Sequence, residues 1–456
     1  MTATRDFEHA ADVAARTNDP PVLGAVAARP AKAVPLEGAM HPAEAAFQEG
    51  TARPLDANHS SEAVRPADAN HSSESVRPAQ AKCPDPAAPP AGAKRPAERV
   101  RPSKATRPSV LVLAAVAPGS GPGKKMAALA AAFRNLGCST RSAIVAPTRH
   151  AHSQLRTALE TGVRPDLVLL RSHWTVPMLS PILRRLKSAG TRVVVDSPSP
   201  VAAGVREITG SHRAVGEKLL RLAVETTWTP LAWPLADVMV QYETEGWPWR
   251  TLASNRRITL TNGVDVAARP LAPGWAERRT FHLVAAGTLA QWHGYDRLIA
   301  ALPNHPEVTL TVVGDGPELA NLWALVAQRQ LASRVRFTGT LTGAAFDDVM
   351  ATADVGVSSL GEHRRGSFAL SPLKTRDYLA RGLPVLFAGA DPDLRADPNF
   401  AYRVPATDAP VDLAGITAWL DRTRRDRLVS PVEIRAFAQT HLDMTLRAAA
   451  ILAACS

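Results

Sequence analysis

The stretch Val308-Thr309-Leu310-Thr311-Val312-Val313-Gly314-Asp315-Gly316-Pro317 decides the fold of the second half of this chain. Its first six residues are apolar or β-branched, which is typical of a strand buried in a parallel sheet. Gly314 and Gly316 then predict a tight turn, and a helix is expected near residues 317–330. A strand that ends in a glycine turn and leads into a helix is the repeating unit of a parallel α/β domain.

Other stretches of the second half repeat this pattern. Each is a short apolar run of strand length, and further helices are expected near residues 295–302 and 372–380. The predicted strands of this half cover residues 281–286, 308–313, 335–338, 355–357 and 384–387. The second half is therefore predicted to be a doubly wound α/β domain.

The first half shows the same alternation from Ser109 onwards. An apolar run over 110–116 is followed by a glycine-rich loop and a helix that ends at Gly137. Further strands are predicted over 166–170, 192–196 and 237–240. The fold class is therefore expected to be α/β, with two Rossmann-like domains that face each other across a cleft. Ligands of such sheets bind at the carboxyl ends of the strands.

Residues 1–107 have a different composition, rich in Ala, Pro and small polar residues. A segment with so few large apolar side chains cannot bury enough surface to offset the entropy lost on ordering, so a disordered arm is predicted. The arm contains a 12-residue repeat, because the stretch 53–62 returns as 65–74. This repeat has no hydrophobic face, which favours a duplicated linker over a solenoid unit.

Charge and cysteine content limit the function classes. The net charge is +11 and the pI is about 10.0, but no block of five or six like charges occurs. We therefore expect no nucleic-acid partner; weak attraction to anionic membranes or phosphorylated substrates stays open. The three cysteines are dispersed and predict neither a disulfide framework nor a metal site. With no apolar run at the N-terminus and none of spanning length, the expected location is cytoplasmic, with peripheral contact at the inner membrane face left open.

A glycine-rich loop, Pro118-Gly119-Ser120-Gly121-Pro122-Gly123-Lys124-Lys125, follows the first predicted strand. It is not a P-loop, because Pro118 replaces the required first glycine and Lys125 replaces the required Ser or Thr. Two interpretations remain open. The loop is either a turn alone or a turn whose free N–H groups face an anion. On the second interpretation Gly119, Ser120 and Gly121 form an acceptor or phosphate loop.

Three motifs of the second half, taken with the linker Asn262-Gly263-Val264-Asp265, point to a family. They are Gly287-Thr288-Leu289-Ala290-Gln291-Trp292-His293-Gly294, Gly314-Asp315-Gly316-Pro317, and Ser371-Pro372-Leu373-Lys374-Thr375-Arg376-Asp377-Tyr378. In order and spacing they resemble the family-4 glycosyltransferases, whose fold of two Rossmann domains is called GT-B. The chain looks most similar to bacterial members that assemble polysaccharides, and the resemblance covers residues 109–456.

The resemblance implies an activity and a division of labour between domains. A sugar would pass, with retention, from a nucleoside-diphosphate sugar to a saccharide or lipid-linked acceptor, without a metal and without a cofactor. The acceptor domain is expected at 108–270 and the nucleotide-sugar domain at 271–430. A C-terminal helix is expected at 431–456, packed back on the first domain.

The resemblance also suggests site residues. In the family an Arg and a Lys of the first motif stabilise the leaving diphosphate; here Thr288 and His293 occupy those places, and His293 is charged only if its pKa is held up. Lys374 and Arg376 are further sources of positive charge, and His173 is placed near the acceptor or the diphosphate. The predicted catalytic residues are His173 and Lys374, and the predicted donor-binding residues are Gly287, Thr288, His293, Gly314, Asp315, Gly316, Leu370, Ser371, Leu373, Lys374 and Asp377.

One departure from the family pattern keeps other functions open. The family has two glutamates eight residues apart, and in this chain Ala369 and Asp377 stand in their places. Asp377 is still able to accept from a ribose hydroxyl, whereas Ala369 is not, and Glu362 nearby is out of register. A non-catalytic nucleotide-sugar-binding homologue and a nucleotide-sugar epimerase are therefore alternatives to the transferase.

Overall fold

The computed structural model describes residues 107–211, 213–252, 256–273, 280–366, 371–396, 398–426 and 428–456. The predicted disordered arm and its repeat lie outside these residues.

The first half contains a six-stranded parallel sheet with the strand order β2-β1-β3-β4-β5-β6. Its central strands are almost fully buried, because helices cover both faces. In chain order the elements are β1 (Ser109–Ala115), α1 (Gly121–Asn135), β2 (Ser139–Val145), α2 (Ala151–Glu160), β3 (Leu167–Arg171), α3 (Ser180–Ser188), β4 (Arg192–Ser197), α4 (Val201–Gly210), α5 (Val215–Ala223), β5 (Val238–Gln241), α6 (Trp249–Leu252) and β6 (Arg257–Thr259).

The second half contains another six-stranded parallel sheet, with the order β12-β11-β10-β7-β8-β9. Strands β8 and β9 lie on one side of β7, and β10 to β12 lie on the other, which is the Rossmann order. In chain order the elements are β7 (Phe281–Ala286), α7 (Tyr295–Ala301), β8 (Val308–Val313), α8 (Leu319–Gln328), β9 (Val335–Gly339), α9 (Ala344–Ala351), β10 (Val355–Val357), α10 (Leu373–Ala380), β11 (Val385–Ala388), β12 (Ala401–Val404), α11 (Leu413–Arg425), α12 (Pro431–His441) and α13 (Met444–Cys455).

The chain crosses between the halves twice, and the two crossings are hydrogen-bonded to each other. Val264 N donates to Leu442 O at 2.9 Å, and Met444 N donates to Val264 O at 2.9 Å. The end of the chain is thus two helices where the sequence predicts one. The break comes at Asp443, whose carboxylate caps α13 by accepting from Thr445 N at 2.8 Å.

These two helices pack on different halves. Ile434 and Ala438 of α12 belong to the core of the second half, and Ala448 and Ile451 of α13 lie in the core of the first half, beside α1 and β1. The predicted fold class is confirmed: two parallel α/β sheets form a GT-B fold. Strands β2, β6 and β12 and helices α2, α4, α5, α6, α9 and α11 are absent from the sequence-based prediction. Within the described ranges, no helix is both long and apolar enough to cross a membrane.

Candidate functional site

The candidate site lies at the carboxyl ends of β7 and β10, which are neighbours in the second sheet. The chain leaves these strands towards opposite sides of the sheet, so the loops that follow them open a crevice, the usual ligand position in such folds. Leu360 N, beyond β10, donates to His293 O at 2.8 Å, and Gly361 N donates to Trp292 O at 3.2 Å. The two loops are therefore held against each other.

Glycines let the loops after β7 and β8 approach backbone to backbone. A Cβ on Gly314 would lie 1.9 Å from Gly287 O, and a Cβ on Gly316 would lie 2.4 Å from Leu289 O. Both glycines also have positive φ, +133° and +159°. Hence Gly287, Gly314 and Gly316, all predicted from the sequence, do come together.

Two polar residues of these loops point to the surface. Thr288 is exposed. Asp315 is also exposed, and its carboxylate accepts from Gly316 N at 2.7 Å, while its carbonyl accepts from Leu289 N at 2.9 Å. The backbone of this turn is therefore fixed by local hydrogen bonds.

Lys374 reaches the glycine loop from the first turn of α10. Its Nζ donates to the Tyr295 hydroxyl at 2.9 Å, and a Cβ on Gly287 would lie 3.2 Å from Nζ. Burial lowers the pKa of Lys374 to about 7; Glu362 opposes this shift and Arg365 adds to it. The Lys374 side chain thus loses its proton more readily than an ordinary lysine. An anion bound beside it would favour the protonated form.

His293 lies beside Lys374 but is neutral. Its ring is buried and stacks on the Tyr295 ring with the centroids 5.4 Å apart. Burial lowers the pKa of His293 well below its usual range, and the charges of Lys374 and Arg365 lower it further. The Nδ1 atom accepts from Ala290 N at 3.4 Å, so the ring proton lies on Nε2. His293 is therefore a neutral imidazole beside Lys374, and its role at a diphosphate stays a prediction.

The start of α10 faces the first half of the chain. A Cβ on Gly121 would lie 3.6 Å from Leu373 Cδ1, so the loop containing Gly119, Ser120 and Gly121 lies opposite α10. Ser120 is the N-cap of α1, and its hydroxyl accepts from Gly123 N at 3.2 Å. This loop and the α10 start therefore line the two sides of the cleft.

Ser371 ties α10 to the linker between the halves. Its hydroxyl accepts from Asn262 N at 2.9 Å, and its carbonyl accepts from Asn262 Nδ2 at 2.7 Å. Ser371 is buried, so it orients the start of α10. Leu370 and Ala369, which precede it, lie outside the described residues.

Asp377 is engaged by arginines. Its carboxylate pairs with Arg269 Nε and accepts from Arg381 Nε at 2.7 Å. A ribose hydroxyl would have to share this carboxylate with two guanidinium groups. Asp377 thus lies close to Lys374 in the sequence, but its carboxylate contacts Arg269 of the linker and Arg381 at the end of α10.

The Arg376 side chain is not placed to contact a diphosphate. Its guanidinium is completely buried and pairs with Asp391, with Nη2–Oδ1 at 2.7 Å, and with Asp393. Its Nε donates to Asn262 O at 3.2 Å. The prediction of positive charge from Arg376 is therefore wrong; this residue fixes the linker and α10 to each other.

His173 lies in the loop after β3, in the first half. Its Nδ1 is 3.2 Å from Thr175 Oγ1, and its ring is 5.3 Å from the Trp174 ring. Burial lowers the pKa of His173 to about 3, with a smaller contribution from Arg171. His173 is therefore a neutral imidazole whose described contacts lie within its own loop, and its catalytic role stays a prediction.

Sequence reasoning missed three residues of this site: Tyr295, Glu362 and Arg365. Glu362 is buried in the short turn that follows β10 and accepts from Arg365 Nε at 2.6 Å. Arg365 Nη1 also lies 3.6 Å from a carboxylate oxygen of Glu207, on α4 of the first half. Glu362 also lines a small cavity whose other walls include Ser358, Ser359, Thr375 and Asp391. The only sequence signal for this turn was its cluster of charges.

The described residues contain no group of three His, Cys, Asp or Glu side chains arranged to hold a metal ion. The polar groups that converge on the crevice are a lysine, a neutral histidine, a tyrosine and loop amides. Such a set suits an oxyanion ligand.

Comparison with known proteins gives one family match. Residues 280–420 match the family model described as "Glycosyl transferases group 1". No curated protein sequence matches the chain.

Several solved structures are similar to this chain. Sucrose-phosphate synthase from Thermosynechococcus elongatus is 16% identical, with a TM-score of 0.53, and the match covers 76% of this chain and 100% of that one. The catalytic domain of starch synthase IV from Arabidopsis thaliana, bound to ADP and acarbose, is 13% identical, with a TM-score of 0.50 and coverage of 75% and 99%. The Anabaena protein HepE in complex with UDP-glucose is 15% identical, with a TM-score of 0.49 and coverage of 75% and 99%. Residues 280–420, which match the group 1 glycosyltransferase model, thus lie within a two-sheet GT-B fold.

Proposed function

We propose that this protein transfers a sugar from a nucleoside-diphosphate sugar to a saccharide or lipid-linked acceptor. One observation carries the proposal: Lys374, Tyr295, His293 and the Gly287 loop converge at the strand-end crevice of the half that matches the glycosyltransferase model. The donor would bind to the second half, and the acceptor would approach from the first half.

The leaving diphosphate sets the chemical requirement. Negative charge grows on its oxygens as the glycosidic bond breaks, so cations and preorganised N–H groups at that point accelerate the reaction. Lys374 would supply the charge, and the amides at the start of α10 would supply hydrogen bonds together with the positive end of the helix dipole. Neutral His293 would add one N–H donor from Nε2. On this proposal no metal ion is needed at the diphosphate.

The stereochemical course is part of this proposal, and the resemblance of the motifs to the family-4 glycosyltransferases supports it. We infer transfer with retention of configuration, through departure and attack on one face of the sugar. A hexosyl donor and a role in bacterial polysaccharide assembly belong to the same proposal. ADP bound to starch synthase IV, a protein of the same fold, makes ADP-sugars one class to test alongside UDP- and GDP-sugars.

A second candidate is a nucleotide-sugar-binding protein without transferase activity. The observation that favours it is the pairing of Asp377 with Arg269 and Arg381, together with the loss of the other family carboxylate at Ala369. Such a protein would bind nucleotide sugars tightly and release no product.

The decisive experiment is a donor screen on the full chain. Thermal shifts with UDP-, GDP- and ADP-sugars identify binding, since a ligand of the native state raises the melting temperature. Hydrolysis and transfer are then measured for each binder. The transferase predicts turnover that falls strongly in Lys374→Met and is unchanged in Lys218→Met, a surface lysine of α5 whose Nζ donates to Thr209 O. If no nucleotide sugar binds to or is turned over by the wild type, the proposed function is wrong.

Ala369→Glu separates the two candidates. A large gain in transfer would show an enzyme that lacks one carboxylate. Tight nucleotide binding without turnover in both the wild type and Ala369→Glu would favour the binding protein.

A further inference from the structure

The first half contains a cluster of charges that the proposed donor site does not use. We call it the strand-end cluster: Lys125 of α1, Arg171 at the end of β3, Asp196 of β4, and Tyr242 directly after β5. Three adjacent parallel strands therefore bring side chains together at their carboxyl ends, where ligands of such sheets bind.

Asp196 is the centre of the cluster. It is almost fully buried. Its carboxylate accepts hydrogen bonds from Lys125 Nζ at 3.1 Å, Arg171 Nη1 at 3.2 Å and the Tyr242 hydroxyl at 2.6 Å. Lys125 Nζ also lies over the Tyr242 ring, 3.7 Å from the centroid. These contacts hold all four side chains in a fixed arrangement.

The cluster carries an excess of positive charge. In the described part of the chain, Lys125 and Arg171 each form one ion pair, and both pairs are with Asp196. Burial raises the pKa of Tyr242 well above its usual value, so its hydroxyl stays neutral. Burial lowers the pKa of Lys125 to about 8, so it is still mostly charged at pH 7. Two cations thus face one carboxylate, and a buried charge left without a partner is costly.

Arg171 is the member that is able to reach a ligand. Its side chain keeps 12% of its surface exposed, whereas those of Lys125 and Asp196 keep 4% and 1%. Only its Nη1 has a protein acceptor among the described residues, so the N–H groups of Nε and Nη2 remain for another one. A guanidinium whose Nε–Nη2 edge is free matches the two-oxygen geometry of a phosphate or carboxylate group.

The position of the cluster points to the acceptor. Lys125 lies one turn into α1, directly behind the Gly119–Ser120–Gly121 loop, and that loop faces Leu373 across the cleft. Lys374 and the Gly287 loop, which make up the proposed diphosphate site, belong to the other half. An anion held by Arg171 would therefore sit on the acceptor side.

We propose that the strand-end cluster is an oxyanion-binding site on the first half, with Arg171 as its contact residue, and that it takes a phosphate or carboxylate group carried by the acceptor. The anion site stands on the cluster itself. Its assignment to the acceptor rests on the proposed function.

The test measures stabilisation by inorganic phosphate in the full chain. Thermal shifts are recorded over a phosphate series, with and without a saturating nucleoside diphosphate that fills the donor site. The wild type is expected to bind phosphate in both conditions, and Arg171→Gln is expected to weaken this binding about tenfold or more. The phosphate affinity of Arg171→Lys is expected to lie between those of the wild type and Arg171→Gln. Lysine keeps the positive charge but lacks the paired N–H donors of the guanidinium. Acetate replaces phosphate in a second series and distinguishes a carboxylate from a phosphate ligand.

Two variants serve as controls. Arg184→Gln removes an exposed arginine of α3 and is expected to bind phosphate like the wild type. Lys374→Met removes the donor-site cation and is expected to keep the phosphate effect that Arg171→Gln loses. If no nucleotide binds to the wild type, the proposed function is wrong, and the phosphate series without nucleotide still tests the anion site.

Two results would overturn the proposal. Phosphate stabilisation equal in Arg171→Gln and the wild type would show that Arg171 contacts no anion. Phosphate stabilisation that disappears when the nucleoside diphosphate is saturating would show that the cluster belongs to the donor site.

Discussion

The lowered pKa of Lys374 makes a quantitative prediction about nucleotide binding. Burial lowers this pKa to about 7, whereas a diphosphate beside Nζ would favour the charged form and raise it. The free protein therefore loses the proton above pH 7 and must take it up again to bind. Tyr295 and His293 do not titrate in this range, because burial raises the pKa of the first well above 10 and lowers that of the second well below 6.5.

The size of the effect follows from the fraction of protonated lysine. With a pKa of about 7, the dissociation constant rises about 25-fold between pH 7.5 and pH 9, close to tenfold per unit at the upper end. The range starts at 7.5 because the terminal phosphate of a nucleoside diphosphate, with a pKa near 6, is then fully ionised. At pH 8 binding should take up close to one proton.

Isothermal titration calorimetry measures both quantities. The dissociation constant of a nucleoside diphosphate is determined from pH 7.5 to 9, and proton uptake comes from two buffers with different ionisation enthalpies. Lys374→Met should bind more weakly at pH 7.5 and show no pH dependence. A wild-type constant that changes less than about threefold over this range, or a Lys374→Met variant that keeps the slope, would refute the reasoning.

Three further predictions concern stability. Gly314→Ala should lower the free energy of unfolding by more than about 3 kcal/mol, because its Cβ would lie 1.9 Å from Gly287 O. Gly339 also has positive φ, but an added Cβ would point into open space, so Gly339→Ala should lower the free energy of unfolding by about 1–2 kcal/mol. Urea unfolding of the two variants measures the difference. Ile451→Ala should cost about 2–5 kcal/mol in the same assay, because the side chain is 1% exposed between α13 and the first sheet, and a loss under 1 kcal/mol would contradict this packing. Lys374→Met should raise the free energy of unfolding most below pH 7, with the gain vanishing towards pH 10.5, because the folded-state pKa is below the unfolded value; a gain that grows with pH would contradict the sign.

The sequence predicts buried strands well and edge strands poorly. β7 and β8 are covered on both faces, so their residues form apolar runs that stand out. β2 (Ser139–Val145) lies at the edge of the first sheet, and its residues are exposed or half-buried. Polar residues are allowed there, and the apolar signal disappears.

The site shows a similar limit. Lys374 and Arg376 are two residues apart, and the sequence offers both as cations. On a helix such residues point in different directions; one therefore reaches Tyr295, and the other is buried against Asp391. Tyr295 itself is 79 residues from Lys374, and nothing in a single sequence indicates that pairing.

The charge of His293 illustrates why residue type alone does not fix a role. From the sequence its protonation depends on a neighbouring diphosphate. In the fold, burial and the nearby Lys374 and Arg365 all act against the charged form. His293 thus adds no charge beside the Gly287 loop, and Lys374 is the cation that reaches it, which is why a substitution at position 374 is informative.

The hydrogen bonds of the linker show that the side of the cleft formed by α10 is ordered before any ligand binds. Asn262 donates to Ser371 through both its backbone and its side chain, and accepts from Arg376 Nε. These bonds fasten the linker to α10, so a rotation about the linker would leave Lys374 fixed against the Gly287 loop. The same rotation would change the distance between Gly121 and Leu373, because they belong to different halves. On the proposed function the donor side is therefore preorganised, and closure of the cleft would act by bringing the acceptor side to it.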